Sequence, residues 1–142
     1  FSAENILVFQ KDCYMYKMFD EEYYLKFAFC GATCIWLSED EKERDYAING
    51  GCSLRKKTEM LDCLQNVNWE TIERYYPKLQ KYNEDLFFSF ASVILDKHLP
   101  SFQERLDFAV ENQEQNEKTS FYHGWNKNYQ TEEKALSNIN RE

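Results

Sequence analysis

The chain has 142 residues, 43% of them hydrophobic and 30% charged, a balance that suits one folded domain over 1–142 and excludes a disordered chain. Its formal net charge of −8 repels nucleic-acid phosphate and anionic membrane, arguing against direct binding of either, and attracts basic surfaces. Four glycines and two prolines are too few turn residues for an all-β fold rich in hairpins, so the composition points to helices.

The first 37 residues admit two readings. The segments ENILVFQKDCYMYKMF and EYYLKFAFCGATCIWL are rich in aromatic and β-branched residues and can form a β-hairpin over 5–37, turning at Phe19–Glu22. Alternatively, Ile6, Phe9, Cys13 and Tyr16 keep a helical period, and Asp20 can cap a second helix. Strands of sixteen residues are unusual, whereas helices of that length are ordinary, so the helical reading is preferred. The uncharged run FAFCGATCIWL is only eleven residues long, well short of the roughly 20 that span a bilayer as a helix.

Further along, Ser38–Glu41 is a capping box that opens a short helix running to Ile48, with Asn49-Gly50-Gly51 as a left-handed stop. Ser53 can cap a helix over 54–65 with Leu54, Met60 or Leu61, and Leu64 inward, and Asn68 can cap WETIERYY before Pro77. Asn83 can cap a helix over 84–98, where Leu86, Phe90, Val93 and Ile94 make an apolar stripe that Phe87 and Leu95 widen. Pro100 ends it, and the capping box Ser101–Glu104 opens a helix over 102–117 with Phe102, Leu106, Ala109 and Val110 inward. A last short helix covers 131–139. The expected fold is all-α, a bundle of about six helices around a central helical hairpin (84–98 with 102–117). The alternative is α+β with the N-terminal hairpin.

The candidate chemistry is sparse. Five cysteines, an odd number, fit reduced thiols in a cytosol, and a start at Phe1 reads as a fragment, a processed form or a trimmed one. Cys30 and Cys34 share a face in either secondary structure, but a metal would need further ligands from Cys13, Cys52, Cys63, His98 or His123, and no C-x2-C knuckle supplies them. No catalytic residue, cofactor or metal is expected, and the cysteines read as small buried hydrophobes. Glu39, Asp40, Glu41, Glu43 and Asp45 crowd one short helix, and Asp20, Glu21 and Glu22 stand at the other end of the apolar run. Such a run is either a solvated face or an acidic surface that docks a basic partner. Tyr122, Trp125 and Tyr129 offer aromatic anchors for that contact, unless their segment folds back over the core.

The functional expectation is a non-catalytic acidic domain that binds a basic protein, of the stoichiometric-inhibitor kind (immunity, antitoxin or anti-defence), in the cytoplasm. One alternative is a small-ligand-binding or metal-dependent domain, or an enzyme, built on the cysteines, His98 and the 121–129 segment. The other is a structural or adaptor domain of a larger assembly.

Overall fold

The computed structural model describes residues 2–34, 46–79, 83–111 and 116–124. Its organising element is a nine-residue strand, β4 (Ile48–Lys56), that accepts a neighbour on each side. Strand β1 (Asn5–Phe9) pairs antiparallel with it from Asn5↔Lys56 to Phe9↔Cys52. Strand β3 (Phe29–Thr33) pairs antiparallel on the other edge from Phe29↔Arg55 to Gly31↔Ser53, then shifts register to Thr33↔Ile48. A second sheet holds β2 (Cys13–Met15), β6 (Phe121–His123) and β5 (Ala109–Val110) in the order β2-β6-β5, with β2 antiparallel and β5 parallel to β6. Helices α1 (Glu21–Tyr24), α2 (Lys57–Asn66), α3 (Trp69–Tyr75), α4 (Glu84–Ile94) and α5 (Phe102–Phe108) complete the described residues.

The all-α expectation is therefore overturned: the fold is mixed α+β, with five helices and two three-stranded sheets among the described residues. The length argument failed because neither sixteen-residue segment is one element. Residues 10–12 divide the first into β1 and β2, and the Asp20-capped turn α1 stands between β2 and β3. Aromatic and β-branched composition prevailed because β4, distant in sequence, supplies the hydrogen-bonding partner for both flanking strands. Nor do residues 5–37 form the alternative hairpin, since β4 lies between β1 and β3.

The helical hairpin is also corrected. Helix α4 lies on β4, where the Ser89 hydroxyl accepts from Ile48 N at 3.0 Å and donates to Asp85 O at 2.7 Å. Helix α5 packs mainly on β3 and ends at Phe108, because Ala109 and Val110 pair with Phe121 and Tyr122. Ser53 and Leu54 belong to β4, so α2 begins only at Lys57; Met60 is buried, while Leu61 and Leu64 are exposed. Asn49-Gly50-Gly51 is strand, not a helix stop. Residues 38–45 of the expected short helix, and its counterpart over 131–139, lie outside the described residues.

Three of the expected caps form, whereas Asn83 makes no side-chain cap hydrogen bond at the start of α4. Asp20 accepts from Tyr23 N at 3.0 Å, Asn68 from Thr71 N at 2.9 Å, and Ser101 and Glu104 exchange hydrogen bonds at 3.3 and 2.8 Å. One core cluster joins the sheets through Tyr24, Phe27, Cys30, Phe108 and Phe121; another packs Ile72, Leu86, Phe87 and Phe90 with Cys34 and Cys63. All five cysteines are buried thiols and none is in a disulfide. Among the described residues, no helix is long and apolar enough to cross a membrane.

Candidate functional site

Because β1 and β3 both run antiparallel to β4, their carboxyl ends lie beside its amino end, Ile48–Gly51. The chain leaves β1 through Gln10–Asp12, β3 at Cys34, β5 at Glu111 and β6 at His123–Gly124. These exits converge: Gln10 N donates to Gly51 O at 3.0 Å, Cys34 N to Ala47 O at 3.0 Å, and Gly124 N to Asp12 O at 2.9 Å. Asp12, Asn49, Glu111 and His123 are all buried there, a concentration of polar groups at odds with the aromatic cores elsewhere.

His123 is the hub. Its Nε2 lies 3.3 Å from Gln10 Oε1 and 3.6 Å from Asp12 Oδ1, and its Nδ1 lies 3.7 Å from Glu111 Oε1. The thiol of Cys13 donates to Gly51 O at 3.2 Å, and ligating atoms of Asp12, Cys13 and His123 all lie within 4.8 Å of one another. Asn49 braces the group, donating to Glu111 Oε2 at 3.3 Å while accepting from Gly51 N at 2.7 Å. Gly51 makes this possible by what it lacks: a Cβ there would collide with His123 Nε2 and sit 2.7 Å from Gln10 Oε1. Gly124, at φ 72°, turns the chain so that its N–H can hold Asp12.

On the neighbouring face of β4, Asp85 accepts from Gly50 N at 3.3 Å and from Leu86 N at 2.9 Å. Burial raises its carboxyl above the ordinary value. Burial likewise pushes up the thiols of Cys30, Cys34 and Cys63, and Cys52 is raised first by its hydrogen bond with Cys13 and then by burial. Such thiols are poor nucleophiles, so these four cysteines serve packing.

Of the residues singled out from sequence, His123 and Cys13 meet here, whereas His98 packs at a tilt against Phe27, ring centroids 4.9 Å apart, in another part of the fold. Asp20 caps α1, with Glu21 and Glu22 exposed in its first turn. Tyr122 is buried in β6 opposite Tyr14 and Val110. Glu39, Asp40, Glu41, Glu43, Asp45, Trp125 and Tyr129 lie outside the described residues. Sequence reasoning missed Gln10, Asp12, Asn49 and Glu111, which no short motif connects. Surface hollows elsewhere among the described residues include an apolar one of about 490 Å³ walled by Leu64, Val67, Trp69, Phe87 and Phe88, and one of about 790 Å³ beside Lys97, His98 and Arg105.

A family model described as "Protein of unknown function (DUF5672)" matches residues 1–123. The chain belongs to this DUF5672 family. No curated protein and no solved structure matches it. The span matched by the DUF5672 model includes the whole cluster, from Gln10 to His123.

Proposed function

We propose that this DUF5672 chain is a metal-dependent small-ligand-binding domain, with a divalent ion of the zinc type held by Asp12, Cys13 and His123. The observation that carries the reading is the gathering of carboxylate, thiol and imidazole donors within 4.8 Å of one another in a buried place. At 3.6 Å, His123 Nε2 and Asp12 Oδ1 are too far apart for a good hydrogen bond. Two such donors on one tetrahedral zinc ion sit roughly 3.3 Å apart, from metal–ligand distances of about 2.0–2.1 Å, so little movement would be needed. Mixed oxygen, nitrogen and sulfur donors suit zinc better than magnesium or calcium, which favour oxygen alone.

Three protein donors leave a fourth position open, the arrangement of sites where a zinc ion meets water or a ligand. When bound, the ion would act there as a Lewis acid toward an oxygen or nitrogen donor of that ligand. Docking of a basic protein on the acidic residues has less behind it: Asp20 is engaged as a cap and Tyr122 is buried.

Elemental analysis after dialysis against excess zinc tests the proposal, with one ion expected per chain. Cobalt in its place should give a thiolate charge-transfer band in the near ultraviolet that Cys13→Ser removes. Equal metal content in the wild type, Asp12→Ala and His123→Ala, or no metal in any of them, would overturn it.

A further inference from the structure

If the ion is held through Nε2 of His123, something must decide which ring nitrogen keeps the proton. A neutral imidazole has one donor and one acceptor nitrogen, and only the acceptor can ligate. On the Nε2 side stand Asp12 Oδ1 and Gln10 Oε1, both acceptors, which favour a proton on the very nitrogen that must lose it. On the Nδ1 side stands Glu111 Oε1 at 3.7 Å. Glu111 is not loose: its second oxygen accepts from Asn49 Nδ2 at 3.3 Å, and Asn49 Oδ1 accepts from the backbone N–H of Gly51 at 2.7 Å. The orientation of this carboxylate is thus referred back to strand β4, the same strand whose vacant side-chain position admits the imidazole.

We propose that Glu111, oriented by Asn49, is a positioning residue that keeps the proton on Nδ1 of His123, so that Nε2 presents its lone pair to the ion beside Asp12 and Cys13. This rests on the metal reading above. A movement of about half an ångström by the Glu111 carboxylate toward the ring would bring this 3.7 Å contact into hydrogen-bond range as Nδ1–H···Oε1. Carboxylates in this role commonly set the affinity of a site by about tenfold to a hundredfold without touching the metal.

Two variants separate this from a merely structural role. Glu111→Gln keeps the volume and an acceptor oxygen; Glu111→Leu keeps neither acceptor nor charge. Zinc affinity, measured by competition with a chromophoric chelator, should fall about tenfold to a hundredfold in Glu111→Leu and less in Glu111→Gln. Thermal unfolding of the metal-free proteins verifies that each variant is folded. Nitrogen-15 correlation spectra of the histidine ring supply the second readout: zinc-loaded wild type should show Nδ1 protonated and Nε2 ligating. In Glu111→Leu the zinc-loaded ring should no longer show that single tautomer. Wild-type affinity in both variants, or ligation through Nδ1 in the wild type, would overturn the positioning role. A wild type that binds no zinc would instead sink the reading on which it rests.

Discussion

Three glycines in adjacent strands allow the packing argument to be tested with one kind of substitution. Gly31, Gly50 and Gly51 all have backbone angles open to alanine, so the cost of Gly→Ala is steric and not conformational. A Cβ at Gly31 would lie 2.5 Å from Asn49 O and 2.9 Å from Cys52 O. Both obstacles are backbone of β4, and the first is roughly 1 Å inside ordinary van der Waals contact. The β3–β4 ladder has to part where the cores meet, which puts the cost near the upper end for overpacking, about 3 kcal/mol. The reduced freedom of the unfolded chain returns about 0.4–1 kcal/mol. The net loss corresponds to a fall in melting temperature of roughly 6–10 °C for a domain of this size.

At Gly50 the obstacles are different in kind. A new Cβ meets Arg55 Nη2 and lies 2.8 Å from Glu84 Oε1, the far ends of long side chains that can swing aside, and it touches Asp85 Cβ at 3.0 Å, which need give only a few tenths of an ångström. Their ion pair at 3.1 Å has an exposed carboxylate and contributes at most about 1 kcal/mol, so Gly50→Ala should leave the melting temperature within roughly 3 °C. Gly51→Ala stands between, because the buried ring of His123 must move although the ladder need not. It should cost about 1–2 kcal/mol and abolish metal binding. Circular dichroism melts of the three variants, each with and without zinc, provide the assay. A Gly50→Ala protein as damaged as Gly31→Ala, or a Gly51→Ala protein that binds zinc normally, would refute the steric reasoning.

Two further predictions concern pH. Burial raises the Glu104 carboxyl, but hydrogen bonds from the Tyr23 hydroxyl and Ser101 outweigh it and bring the group down to about 2. A depressed acid stabilises the fold above its ordinary value of 4.5 and loses that contribution as pH falls toward about 2, so Glu104→Gln should flatten the acid limb of stability and cost about 1 kcal/mol at neutral pH. Asp85 has the opposite sign: its raised carboxyl disfavours folding increasingly as pH climbs above the ordinary 3.8. Urea unfolding should therefore show Asp85→Asn gaining on the wild type from acidic to neutral pH, and a constant difference would contradict burial as the cause.

What the sequence disclosed follows from how far apart the interacting groups are. Asp20, Asn68 and Ser101 were legible as caps because each bonds a backbone N–H three residues away. The strands were not, because the partner of Phe9 is Cys52 and that of Phe29 is Arg55, and no local pattern announces those pairings. Asn49-Gly50-Gly51 carries the local signature of a helix stop; only the packed fold shows that the missing side chains make room for His123 and Arg55. Cys13 and His123 were visible as possible ligands by residue type alone. Asp12 and Glu111 were hidden among 25 acidic residues, and the dense run at 39–45 drew attention away from them.

The separation between core and cluster has a consequence for how substitutions should sort. The apolar clusters rest on Phe108 and Phe121 on one side and on Leu86 and Phe90 on the other. Asp12, Glu111 and His123 belong to none of them, and only Cys13 stands in both the core and the cluster. Burying ionisable groups is costly for a fold, and a site kept for binding bears that cost in exchange for function. Neutral replacements at Asp12 or Glu111 should thus remove metal binding or weaken it while sparing stability. Gly31→Ala should do the reverse, lowering stability while the folded fraction still binds. At Cys13, as at Gly51, both should fall together, because the Cys13 sulfur belongs to an apolar core as well as to the donor cluster.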